Sequence, residues 1–496
     1  MRATTNRRGF CKTSALSLLA LGGSGPAVPS VASLSATEPA GARPLLSEPY
    51  ATQLGEPVFL LEGSTLEDLW AVRRRVNPLL KSSRNPVMVE DRPWEGSGPY
   101  LYGTVLYDGQ EKLFKMWYTV YNDFEYTHQL PGSYLTCYAT SQDGYSWQKP
   151  DLGVFDWKGS KRNNLIALGR DEASGITVVE APPDSGISHR YVAVYLDRAG
   201  IILVYSDDGV RWTEGKRNPI DWPSDTQNTL VYDPGDRKWM VHLRPQVFAG
   251  FTQRRVAVKE SRDLETWTRA ETVLIPDEAD LPEFYDMTVF RRGNLFFGLL
   301  QVYDRPTGRI EIELVFSRDG RQWNRVPPRE LFLPRGAPGE FDCGRVHTAA
   351  APVSAHGEMR LYYGGIRTNH NQPSRRGDSA IGVASIPRDR FFGMSNSSHD
   401  EPGFILTRPL RLNGSEMQVN AKLLPMQGQI TVAVLDLGGK ELPGFGFGDC
   451  HPIKGYDLLD HRVTWGKGKR LSDLPKEPLR LKFRLEQATF YAFYVK

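Results

Sequence analysis

Acidic residues with aromatic or basic neighbours recur along this 496-residue chain, and paired carboxylates are equipment for acid–base chemistry. Glu95 follows Trp94, Asp225 opens a polar stretch ending at Asn228, and Glu283 and Asp286 flank Tyr285. Asp342 lies just before Arg345 and His347. One protonated acid can donate to a leaving oxygen while a second, ionised carboxylate activates water or attacks carbon. A third can tune the acid by like-charge repulsion. Cleavage of a glycosidic bond needs such a set, with aromatic rings to stack on the sugar. By position, Glu95 and Asp225 are candidates for base or nucleophile and modulator, Glu283 or Asp286 for general acid, and Asp342 is a further candidate. Trp94 and Tyr285 would stack on a sugar. Arg244, Arg345, His347, Arg367 and His370 would bind hydroxyl or acidic groups. Taken singly, each acid also reads as a loop residue or turn cap, and Glu172 and Asp304 lack an aromatic partner. No metal-ligand spacing is present, and no cofactor is expected.

A repeat supplies the frame that must position these residues. Ser141, Asp143, Gly144 and Trp147 recur as Ser206, Asp208, Gly209 and Trp212, then as Ser317, Asp319, Gly320 and Trp323. Ser261, Asp263 and Trp267 lack the glycine, and Ser385, Asp389 and Phe391 form a worn fifth copy. The serines are spaced by 65, 55, 56 and 68 residues. Periods at or above roughly 40–50 residues, with a strand on each side of the signature, indicate β-propeller blades. Asp-Gly favours a tight turn, since glycine accepts positive φ and aspartate bonds its own backbone. The trailing tryptophan would pack between neighbouring blades.

The expected fold is therefore all-β: a five-bladed β-propeller over 88–397 followed by a C-terminal β-sandwich over 398–496. In the latter the repeat stops and new alternating strands begin. Segment 37–87 should wrap the first blade, with a short helical turn over 65–75. In a four-stranded blade, links entering each inner strand share a face with the loops between strands two and three. The candidate acids above lie in those entry segments, so they should converge on one funnel.

Composition narrows the partners. The chain has 11% aromatic residues, 47 Gly and 35 Pro, a net charge of +3 and a mean hydropathy of −0.42. The near-balanced charge and the lack of a basic stripe argue against nucleic acid. No apolar run approaches the ~20 residues of a membrane span. Arg7, Arg8, Phe10 and Lys12 precede the apolar stretch 15–21. That pattern reads as a twin-arginine-type export signal over 1–36, with cleavage after Ala32 or Ala36, and a periplasmic or extracellular destination. With Cys11 in the signal, Cys137, Cys343 and Cys450 allow at most one disulfide.

Several segments resemble the five-bladed β-propeller glycoside hydrolases, in the family 32-like and family 43-like superfamily, of a planctomycete-type secreted kind. These are Pro93 to Gly96, Phe114 to Tyr118, Ser141 to Pro150, Gly159 to Ile166 and Tyr362 to Gly365. Leu442 to Ile453 is similar to the β-sandwich appended to levanases and invertases. The resemblance implies an exported hydrolase acting on a poly- or oligosaccharide. The fructosidase motifs Trp-Met-Asn-Asp-Pro-Asn-Gly, Arg-Asp-Pro and Glu-Cys are absent, so the candidates above are chosen by position. Two other readings stand beside it: a carbohydrate-binding propeller without catalysis, and a sialidase. Sialidases carry an extra residue between Asp and Gly, six blades and an arginine triad.

Overall fold

The computed structural model describes residues 48–496 apart from 63, 171, 223 and 246–252. The export signal expected over 1–36 lies outside the described residues. Nearly all regular structure is β, and five antiparallel meanders follow one another along the chain. The first comprises Pro99–Asp108, Leu113–Tyr121 and Tyr134–Ser141, and the second Ser174–Glu180, Tyr191–Asp197, Gly200–Ser206 and Thr213–Glu214. The third runs through Thr229–Asp233, Lys238–Leu243, Val256–Ser261 and Glu271–Leu274. The fourth uses Glu283–Arg292, Leu295–Asp304, Arg309–Ser317 and Trp323–Arg325. The fifth uses Arg345–Thr348, Glu358–Ile366 and Ser379–Pro387. Its outer strand, Leu80–Lys81, comes from the N-terminal segment and pairs with Ala384 and Ser385. Asn85 reinforces the join, its amide side chain bonding both the N–H and the C=O of Val383 at 2.8 and 3.0 Å.

The repeat builds the same turn four times. The serine hydroxyl accepts the N–H three residues on, at Gly144, Gly209, Leu264 and Gly320, over 2.8–2.9 Å. The aspartate Oδ1 accepts the next two N–H groups, as Asp208 does from Val210 and Arg211 at 2.8 and 2.7 Å. Gly209 sits at φ 78°, and its carbonyl accepts the indole N–H of Trp117 from the preceding meander at 2.7 Å. His242 and Tyr362 reach Gly320 and Gly144 in the same way, at 2.8 and 2.9 Å. The Tyr362 bond links the fifth meander back to the first. The worn fifth copy does not form this turn: Asp389 is buried and holds Arg292 through two bonds, at 2.7 and 2.9 Å, and the Tyr494 hydroxyl at 2.8 Å.

After the fifth meander, two sheets enclose one apolar core containing Val419, Val432, Phe483 and Phe490. Alternation along Arg480–Glu486 buries every second residue, as a strand with one covered face requires. Two strands of the segment expected to wrap the first blade pair here instead. Leu66–Trp70 pairs with Gly403–Thr407, and Val72–Val76 with Phe392–Asn396. Residues 65–75 hold strands rather than a helical turn, because their partners lie more than 300 residues downstream, where local propensity has no say. Cys137, Cys343 and Cys450 are free thiols. Among the described residues, no helix is long and apolar enough to cross a membrane.

Candidate functional site

A cavity of about 540 Å³ opens where all five meanders contribute the start of an inner strand or the connection between strands two and three. Tyr100 and Tyr102 share one face of Pro99–Asp108, two residues apart. They pack on Tyr285 and His347, with ring centroids 4.9 Å apart for Tyr102 and His347 and 5.4 Å for Tyr285 and His347. Tyr121, Tyr126 and Tyr134 form a second aromatic wall around the short helix Asp123–Thr127, their centroids 5.2–5.9 Å apart. Three ladders shift register at this end, between Tyr100 and Thr104, Val194 and Leu196, and Phe284 and Met287. Bulges of this kind re-aim side chains. The last of them carries Tyr285 and Asp286 together.

Two carboxylates meet around that bulge. Asp286 is 3% exposed, and its Oδ2 accepts the Thr226 hydroxyl at 2.5 Å. Burial raises its pKa to about 7, against the pull of the Thr226 hydroxyl and the Arg244 charge. Asp225 precedes Thr226 with a positive φ of 49°, and its side chain is 81% exposed on the cavity. Arg244 meets Asp225 Oδ2 at 3.3 Å and donates to the Tyr285 carbonyl, next to Asp286, at 2.9 Å. Its guanidinium also lies 5.1 Å from the centre of the Tyr285 ring.

His370 stands opposite, with Nε2 3.0 Å from the Tyr285 hydroxyl and Nδ1 3.2 Å from that of Tyr303. Burial and then the charges of Arg345, Arg254 and Arg244 lower its pKa to about 4, so the ring is neutral at pH 7. Burial likewise holds His347 well below the usual histidine range. That ring lies behind the tyrosines, with Nδ1 2.7 Å from Gln301. Arg345 lines the cavity and donates to the Thr368 carbonyl at 2.8 Å and to Ser374 Oγ at 3.2 Å.

Other expected residues do not reach the cavity. Glu95 is fully buried, its carboxylate taken by the N–H groups of Asp91 and Arg92 at 2.9 and 3.0 Å, Tyr118 at 2.8 Å and Lys149 at 2.6 Å. Trp94 is buried too, its indole donating to Asn164 at 2.9 Å. Glu283 pairs with Arg254 at 2.7 Å and Arg305 at 2.8 Å. Asp342 is held by Lys81 at 2.6 Å and the Tyr363 hydroxyl at 3.0 Å. Arg367 is exposed elsewhere and donates to the Gly339 carbonyl. Each of these carboxylates has found a cation within the protein, which is how a folded chain accommodates a buried charge.

Sequence reasoning placed Asp123 on the funnel but missed the tyrosine walls, Asp197 and Arg254; all of them line the cavity. The signal for the floor was present as Tyr100 and Tyr102 alternating on an expected inner strand. Tyr121, Tyr126 and Tyr134 bracket the polar loop at Asn122 and Asp123.

No protein-family model matches this chain, and no curated protein matches it. Among solved structures, it is similar to an N-acetylgalactosamine deacetylase from F. plautii in complex with blood group B trisaccharide. The identity is 16% and the TM-score 0.39, over 69% of this chain and 96% of that one. It is also similar to a glycosyl hydrolase from Bacteroides ovatus, at 13% identity and a TM-score of 0.44, over 64% and 95% of the two chains. A glycoside hydrolase family 43 arabinoxylan arabinofuranohydrolase from Bacillus subtilis matches at 11% identity and a TM-score of 0.40, over 84% and 98%.

Proposed function

We propose that the chain is an exported glycoside hydrolase, a five-bladed β-propeller with an appended β-sandwich, cleaving a poly- or oligosaccharide in the tyrosine-walled cavity. The observation that carries this reading is a carboxyl that keeps its proton near neutrality beside a cavity that also offers an exposed carboxylate. Asp286 is the general acid. In the relay the Asp286 O–H donates to Thr226 Oγ1 across the same 2.5 Å contact, the reverse of the polarity in which Thr226 donates. The Thr226 hydroxyl, which lines the cavity, then passes its proton to the leaving glycosidic oxygen as the Asp286 proton replaces it. Asp225 is the base or nucleophile, oriented by Arg244. Tyr285 and the neighbouring tyrosines offer ring faces to the sugar, and Glu283 positions Arg254 beneath them.

Chromatography of sugars released from a panel of plant, algal and bacterial polysaccharides tests the proposal, with the Asp286→Asn and Thr226→Val variants alongside. Released product that vanishes in both variants supports the relay; unchanged rates in both sink it. A second reading, a propeller that binds glycans without cleaving them, is favoured by the internal pairing of Glu95, Glu283 and Asp342. Glycan binding with no product from any polysaccharide would put it first.

A further inference from the structure

Among the described residues, most of the arginines around the cavity are paired with a carboxylate and one is not. Asp225 faces Arg244 at 3.3 Å, Glu172 faces Arg198 at 2.5 Å, and Asp197 faces Arg170 at 3.6 Å. Glu283, just behind the wall, serves two guanidiniums. Arg345 has no such partner: among the described residues no carboxylate oxygen lies within 4.0 Å of it. Asp123, which also lines the cavity, instead accepts the Tyr121 hydroxyl at 2.9 Å.

Arg345 is 8% exposed, and a guanidinium stays protonated at any ordinary pH. Burying a charge without a counter-charge is unfavourable. One carbonyl and one hydroxyl oxygen offset only part of that cost. Each terminal nitrogen keeps a second N–H, and Ser374, which accepts from Arg345, keeps its own proton to donate. Those are the donors a planar or tetrahedral oxyanion uses.

Burial raises the pKa of Tyr100 and Tyr121 and lowers that of His347 and His370; the Arg345 charge pulls against the first effect and adds to the second. The negative charge of Asp225 acts on Tyr126, Tyr134 and Tyr285, raising theirs. A ligand in the cavity therefore meets both the exposed Asp225 carboxylate and a guanidinium, that of Arg345, with no carboxylate in contact among the described residues.

We propose that the substrate is an acidic carbohydrate, with an anionic substituent on the sugar pairing with Arg345 and Ser374 while the scissile bond lies toward Asp225 and Thr226. This inference rests on the glycosidase reading of the same cavity. The substituent is a uronate carboxylate or a sulfate ester, both of which offer oxygens to the same donors.

Calorimetric titration of the full chain distinguishes the cases. The probes are oligosaccharides of galacturonic and glucuronic acid, the same oligosaccharides with their carboxyls reduced to alcohols, and 6-sulfated galactan oligosaccharides with their desulfated forms. The wild type should bind one acidic class roughly 10–100-fold more tightly than its neutral counterpart, and which class does so identifies the substituent. Arg345→Gln should abolish that preference, so that the acidic and neutral forms bind alike. The wild-type comparison of acidic with neutral probes needs no variant, so it decides the matter even if Arg345→Gln fails to fold. Equal wild-type affinity for acidic and neutral forms would overturn the inference while leaving the hydrolase reading in place. Failure to bind or cleave any carbohydrate would overturn both.

Discussion

Replacing Asp286 by asparagine removes an ionisable carboxyl but keeps an oxygen to accept the Thr226 hydroxyl. The folded chain holds the Asp286 proton up to about pH 7, whereas an ordinary aspartate releases it near 3.8. Between those values the folded state binds a proton that the unfolded state has lost, so stability falls as pH rises. The contribution is complete below about pH 3.8 and gone above about pH 7. A gap of about three powers of ten in proton affinity, at about 1.4 kcal/mol each, amounts to roughly 4 kcal/mol. Asparagine cannot ionise and escapes that cost. The Asp286→Asn variant should match the wild type near pH 4 and exceed it by roughly 4 kcal/mol at pH 8. Urea denaturation of both proteins at closely spaced pH values between 4 and 8 reads the difference directly. A constant difference across that range would refute the claim that burial raises this carboxyl. Turnover gives the second half of the test. Loss of general acid catalysis should lower kcat/KM by roughly 10²–10⁴-fold, and the alkaline limb near pH 7 should disappear. A variant stabilised at pH 8 with unchanged turnover would mean that Asp286 is a buried acid but not the proton donor.

Asp225→Asn should abolish turnover and lower the stability read by urea denaturation, because it leaves the 8% exposed Arg244 side chain without its carboxylate; full activity in this variant would remove Asp225 from the mechanism. Glu283→Gln leaves Arg254 and Arg305 without their shared carboxylate and should cost roughly 3–5 kcal/mol, read as a lowered Tm; an unchanged Tm would show that the pair is not structural. Gly209→Ala should destabilise by at least ~1 kcal/mol, the cost of a left-handed residue bearing a Cβ. That Cβ would also stand 2.7 Å from the Trp117 ring, and tryptophan fluorescence during unfolding would report the loosened junction.

The repeat was legible in the sequence because each turn is local: serine, aspartate and the N–H groups they bind lie within five residues of one another. Leu264 shows how strongly the two side chains impose the turn, since it adopts φ 61° without being glycine. Asp389 shows the limit, for its partners Arg292 and Tyr494 are 97 and 105 residues away. The same limit separated the carboxylates. Asp342 and Asp286 look alike as entry-segment acids, and only the fold brings Lys81, 261 residues distant, onto the first while leaving the second without a cation in contact. The tyrosine floor was written as alternation on one strand, but the bulges that turn it toward a cavity depend on ladder register, which no short window contains.

Leu80–Lys81 completes the fifth meander, and the bonds from Asn85 to Val383 span 298 residues. During synthesis the strands that need this partner do not yet exist when residues 80–88 leave the ribosome. At roughly 5–20 residues per second, the nascent segment waits about 15–60 s for its counterpart. Closure then depends on a long-range encounter, which slows folding relative to the local hairpins. Until it happens, the early meanders present open strand edges, the surfaces on which β chains aggregate. Refolding yield, more than folded-state stability, is therefore where changes at Asn85 or Leu80 should be felt first.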